Sequence, residues 1–172
     1  MHRILRSTAV VSALLLALTG CDRPAVEGDP ARPAGFSHDI SQDQSGYYIP
    51  LAPVRAGDWS INHLFLGQTA DFTAWEAGAQ GSTFAPVMIE FEDAAGRRTR
   101  ALPTRYTVTD TVVHFEGQSA QLGTVVFDGR LDADAVATAK RNLGDEGAVL
   151  TGTLRVGGKS LGGVRFRWWA GD

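Results

Sequence analysis

The chain has 172 residues, 44% of them hydrophobic and 20% charged, with a formal net charge of −3 at pH 7. That composition belongs to a globular chain with room for one domain. The acidic balance argues against a nucleic-acid binder, which carries a net basic field. A single cysteine excludes intrachain disulfides and thiolate zinc clusters.

The chain begins with a basic segment containing Arg3 and Arg6, followed by an uncharged run of Ala, Val and Leu to Leu18. A basic segment before an apolar one marks a secretory signal, and this run falls short of the roughly 20 residues that a transmembrane helix needs. Leu18-Thr19-Gly20-Cys21 then resembles the lipobox of bacterial lipoproteins. The resemblance implies cleavage after residue 20 and a diacylglycerol on the Cys21 thiol. It also implies an acylated amino terminus at Cys21, hence a covalent lipid anchor in the cell envelope. Two or more acyl chains anchor firmly where one binds only marginally, and Cys21 is then consumed as the anchor. Asp22 directly after it resembles an inner-membrane retention signal.

Residues 21–46 hold Pro24, Pro30 and Pro33 with several acids and no clear period, which predicts a lipidated flexible tether. From Tyr47 to the end the texture predicts one β-rich domain. Strands are expected at 47–51, 58–66, 84–93, 98–109, 112–117, 122–130, 148–157 and 161–169. Val87, Ile89 and Phe91 alternate with Met88, Glu90 and Glu92, and Val125 and Phe127 alternate with Val126 and Asp128. That period of two fits antiparallel strands with one dry face and one wet face.

Two short helices are expected among the strands. One spans 70–77, with Thr69 as its cap and Phe72 and Trp75 as an apolar pair. The other spans 133–143, capped by Asp132, with Val136, Ala139 and Leu143 on one face and Lys140 and Arg141 in its last turn. The fold class is therefore mainly β: an antiparallel β-sandwich or barrel of about 7–8 strands with two short peripheral helices.

The last hairpin allows a finer reading. Leu150, Gly152, Leu154 and Val156 share one face of its first strand, and Val164, Phe166 and Trp168 one face of its second. Pairing those faces needs opposed numbers with an even sum, which excludes a two-residue loop. A loop of residues 158–160 opposes Leu154 to Val164, Gly152 to Phe166 and Leu150 to Trp168, so that Phe166 covers Gly152. A loop of 157–159 satisfies the same parity. Either way Arg155, Arg165, Arg167 and Trp169 fall on the wet face.

Motifs for chemistry are scarce. Gly158-Lys159-Ser160 lacks the earlier glycine of a P-loop, with Thr153 standing in its place, and no G-x-S-x-G elbow occurs. No cofactor is expected, no metal ligand set has a recognisable spacing, and no catalytic residues are assigned. Glu90 and Glu92 leave one strand face about 6.5–7 Å apart, within the range that paired-carboxylate hydrolysis uses. His114 and Glu116 share a face of another strand. Solvation and ion pairing explain both pairs more simply than an envelope hydrolase does. The candidate partner-binding face is Arg155, Arg165, Arg167 and Trp169, since guanidinium groups beside an exposed indole suit an envelope protein, a glycan or an anionic lipid head group. The leading expectation is a lipid-anchored, periplasm-facing envelope protein with a non-catalytic binding or structural β-domain. A second expectation is a carrier or sensor of a lipophilic small molecule, held behind the inward aromatics Phe91, Tyr106, Phe115, Phe127 and Phe166.

Overall fold

A computed structural model describes residues 35–171. The signal segment, Cys21 and residues 22–34 of the expected tether lie outside the described residues. Ten strands and two helices follow in chain order. The strands are β1 (Phe36–Asp39), β2 (Gly46–Pro50), β3 (Arg55–Ala56), β4 (Trp59–Leu66), β5 (Val87–Asp93), β6 (Arg98–Thr109), β7 (Val112–Ser119), β8 (Gly123–Leu131), β9 (Leu150–Val156) and β10 (Lys159–Trp169). Helix α1 (Thr69–Glu76) joins β4 to β5, and α2 (Ala133–Arg141) joins β8 to β9.

Eight strands, β2 and β4 to β10, form a closed antiparallel barrel. Each is paired with the next along the chain, and β2 pairs with β10 to complete the ring. Closure removes every free edge from these strands. Two strands lie outside the ring: β3 pairs with β4, and β1 pairs with β6 in parallel. The chain from residue 36 onward is thus part of the folded domain, where a tether up to residue 46 was expected. The four residues of β1 carry no alternation of their own, and β6 holds them because its C-terminal half extends beyond its pairing with β5.

Both helices fall at one end of the barrel, beyond Leu66 and Leu131. Asp132 caps α2 by accepting the Ala135 N–H at 2.9 Å. The cap of α1 is Gln68 rather than Thr69, and Asp71 reaches back to accept the Gln68 N–H at 2.8 Å. Leu143, expected on the apolar face of α2, lies past the end of that helix and is 76% exposed. The segment between β1 and β2 straps across this end. Asp110, in the β6–β7 turn, accepts from the Ser41 N–H at 2.9 Å, the Ser41 hydroxyl and Gln44 Nε2. Lys140 donates to Asp43 at 2.7 Å, and Trp168 Nε1 donates to the Ser45 carbonyl at 3.0 Å.

The interior is filled by side chains, as suits a ring of eight strands. Tyr48, Leu64, Phe91, Phe115, Phe127, Leu150, Leu154 and Phe166 are all at or below 1% exposure. The rings of Phe127 and Phe166 meet edge to face with centroids 5.7 Å apart. The inward aromatics expected to wall a ligand cavity instead make this core.

The last hairpin corrects the parity argument. Its loop is two residues long, Gly157-Gly158, with Lys159 opposite Val156 and φ of +54° and +82° at the two glycines. Positive φ at both positions is what a tight hairpin turn matching the sheet twist requires. A bulge between Leu161 and Val164 then absorbs the parity change, so Gly152 opposes Val164 and Leu150 opposes Phe166. Phe127, not Phe166, fills the space over Gly152, and a methyl there would strike the Asp128 carbonyl oxygen and lie 2.8 Å from the Gly129 Cα. Gly152→Ala is therefore expected to cost about 1–3 kcal/mol, the range of core overpacking, measured as a lower urea midpoint at unchanged m-value.

Candidate functional site

The strand order brings three residues expected on the wet face to one side of the barrel. Arg165, Arg167 and Trp169 alternate outward along β10, opposite Thr151, Ile49 and Tyr47 respectively. Arg155 does not join them. The two-residue turn places it across from Ser160, on the turn side of the bulge, and its guanidinium donates to Asp128 at 2.7 Å. Among the described residues Arg165 and Arg167 make no ion pair.

Closure of the ring adds residues that no local pattern connects to β10. Trp169 opposes Tyr47, Tyr47 opposes Phe65, and Phe65 opposes Met88, so one outward row crosses four strands. The Tyr47 ring is its hub, with centroids 5.6 Å from Trp169, 5.2 Å from Phe65 and 4.9 Å from the His63 imidazole. Phe84, ahead of β5, lies 5.4 Å from Phe65. Trp169 is 36% and Phe84 46% exposed, while Met88 beneath is buried. The result is a braced aromatic ridge on the outer wall. Gly171 passes over the Tyr47 ring so closely that a Cβ would lie 2.9 Å from it, and its φ of +90° suits only glycine there.

A groove of about 450 Å³ runs beside the ridge, lined by Tyr47, Trp169, Ile49, His63, Glu90 and Arg100 among others. Glu90, expected on a wet face, is 2% exposed. Its carboxylate accepts from Arg100 Nε at 2.8 Å and Asn62 Nδ2 at 3.0 Å, with Arg98 Nε 3.6 Å away. Burial works to raise its pKa, but the donors from Arg100 and Asn62 outweigh burial and hold it below the ordinary carboxylate value. Glu92 accepts from Arg98 at 2.8 Å. His63 is also held below its ordinary value: burial lowers its pKa, Glu90 opposes that, and Arg100 and Arg98 add to it. The groove thus combines aromatic faces, a neutral imidazole, and a carboxylate already neutralised by arginine.

The remaining candidates are separate. His114 on β7 has its Nδ1 2.6 Å from Asp128 and its Nε2 3.5 Å from Glu116, so both nitrogens face carboxylates. It stands on the outer wall two strands from β5, and it forms no constellation with Glu90 or Glu92. A second polar group sits under the strap, where Tyr106 donates to Glu76 at 3.2 Å and His38 Nδ1 lies 2.9 Å from the same oxygen. It ties β1 to α1 and β6. Among the described residues no group of three or more His, Cys, Asp or Glu side chains is placed to hold a metal, and no helix is long and apolar enough to cross a membrane. Compared with protein families, curated proteins and solved structures, the chain matches none.

The groove carries a pH signature. Because the folded state lowers the pKa of His63 below its ordinary 6.5, the unfolded chain takes up that proton first, and stability falls as pH drops through 6.5. Glu90 acts in the same direction at lower pH, since its stabilising charge is lost as acidification reaches its lowered folded pKa. Urea midpoints at pH 7.5 and 5.5 should fall on acidification, and the fall should be smaller in His63→Gln.

Proposed function

We propose that the protein is a lipid-anchored bacterial envelope protein whose barrel is a non-catalytic binding module facing the periplasm, with the wall of β10 and β2 as its recognition face. The anchor reading rests on Leu18-Thr19-Gly20-Cys21 behind its basic and apolar segments, and Asp22 favours the inner membrane. The observation that carries the recognition reading is the pair Arg165 and Arg167, without ion pairs among the described residues, beside a half-exposed aromatic ridge. Arginine and aromatic residues dominate binding hot spots because they bring large contact area and several donors at once.

The position of this wall in the ring adds to the argument. Strand β1 enters on β6, and β10 stands four strands from β6 in either direction round the barrel. The chain that leads back to Cys21 therefore joins one side and the recognition face looks out from the other. Such a placement favours an envelope partner over the head groups of the membrane that holds the anchor. The filled interior gives the carrier reading no support, and the arginine partners of Glu90 and Glu92 give none to a hydrolase.

Two measurements test this. Cells fed radiolabelled palmitate should incorporate it into the wild-type chain and not into Cys21→Ser, and an unlabelled wild-type chain would overturn the anchor. A photo-crosslinker at Leu51, whose backbone N–H donates to the Arg165 carbonyl, should give a discrete adduct in intact cells that disappears in Arg165→Glu/Arg167→Glu. The same probe at Arg105, on β6, should give no such adduct. An adduct that persists in the folded double variant would leave the arginines as solvated surface.

A further inference from the structure

We propose that Arg130 and Arg165, standing on either side of Thr151 on the outer wall, clamp the terminal phosphate of a phosphate monoester, soluble or lipid-borne. The clamp shares Arg165 with the recognition face but is built on β8 and β9 as well, and so goes beyond that reading.

The register brings the two arginines together. Thr151 in β9 opposes Arg130 of β8 on one side and Arg165 of β10 on the other. All three are exposed, and they alternate with the inward Leu131, Leu150 and Phe166. The backbones of the two arginines are two strand spacings apart, about 10 Å. Between them stands only the short side chain of Thr151, over which two long arms can lean to meet on one group. Among the described residues neither guanidinium has a hydrogen bond or an ion pair.

The bulge opens the wall beside this pair. Between Leu161 and Val164, β10 sets Gly162 and Gly163 against the one residue Thr153, so no side chain of β10 covers that stretch. A groove of about 560 Å³ lies there, lined by Arg130, Thr151, Thr153, His114, Asp128 and Gly163 among others. The Asp128 carboxylate is engaged by His114 at 2.6 Å and by Arg155 at 2.7 Å, so it does not cancel Arg130. The groove leaves room for the organic part of a ligand whose phosphate sits over Thr151.

Shape and charge select the phosphate. Two guanidinium forks that approach from opposite sides need two edges of paired oxygens. A phosphate monoester has three terminal oxygens and offers two such edges, with lone pairs left for the Thr151 hydroxyl. A carboxylate has one edge and satisfies one fork. The monoester carries about −1.5 to −2 at pH 7, which two guanidiniums balance, whereas a phosphodiester carries a single charge.

The test follows the arginine Nε–H signals of the full-length chain in detergent micelles by NMR during titration with glycerol phosphate. Arg130→Gln and Arg165→Gln assign the two signals. Both should shift with one common midpoint, and glycerate, a carboxylate of similar size, should need at least tenfold more. Each variant should raise the midpoint of the remaining arginine at least tenfold with circular dichroism unchanged. Arg167→Gln, further along β10, should raise it less than threefold. Because the unsubstituted chain reports on both guanidiniums directly, the test stands even where a variant disturbs the wall. Phosphatidic acid and phosphatidylglycerol in the micelles separate the sources. The same two shifts with phosphatidic acid alone support the clamp with a lipid monoester, and shifts with glycerol phosphate alone support it with a soluble one. Indifference of Arg130 to both monoesters, an equal response to glycerate, or an equal loss in Arg167→Gln overturns the clamp. If the Leu51 adduct then still depends on Arg165 and Arg167, the recognition face survives and only the clamp fails. If that adduct is also independent of them, both fail.

Discussion

The pairing of β2 with β10 is the interaction on which the rest of this molecule depends. It joins the first strand of the ring to the last, across almost the whole described chain, in a register that runs from Tyr47–Trp169 to Pro50–Phe166. Without it the eight strands would form an open sheet with two long exposed edges. With it, Tyr48 and Trp168 turn inward to the core while Tyr47 and Trp169 turn outward to meet on the wall. One register thus decides both the packing of the interior and the composition of the outer face. A slip of one residue would exchange the two sets.

Electrostatics on that wall separate structural charges from available ones. Glu90 sits buried on the outer face of β5 because the ridge and Arg100 cover it, and its two donors match the two carboxylate oxygens. A carboxylate held this way anchors Arg100, which in turn donates to the Thr83 carbonyl at 2.9 Å and fixes the approach to Phe84. Across the barrel Asp128 does the same for His114 and Arg155. Arg165 and Arg167 stand outside both networks, so charge placed on them by a ligand displaces no internal partner.

Much of the fold was legible in the sequence because it is written in a local period. Alternation in Val87–Phe91 and Val125–Asp128 marks strands whatever their partners, and Asp132 marks a helix start by its own chemistry. Closure was not legible, since a sandwich and a barrel bury the same faces of the same strands. Strand β1 escaped because Phe36-Ser37-His38-Asp39 has no alternation and takes its form from β6. The candidate site divides along the same line. Arg165, Arg167 and Trp169 are spaced by two on one strand and could be read together. Tyr47, His63 and Glu90 join them only through the ring. Arg155 lies on the outer face as read, but its register along β10 was missed because a two-residue turn followed by a bulge at Gly162 and Gly163 reconciles the faces in a way parity alone does not foresee.

The position of β1 has a mechanical consequence. It is the first of the described elements from the N-terminal side, yet it belongs to no part of the closed ring. Peeling it away gives up four paired residues and the His38–Glu76 contact and lengthens the lead by up to about 17 Å for residues 36–40. The next hold is the clasp of Asp110 on Ser41 and Gln44. The described N-terminal segment is thus fastened at two successive places, neither of which is a strand pairing of the eight-strand ring.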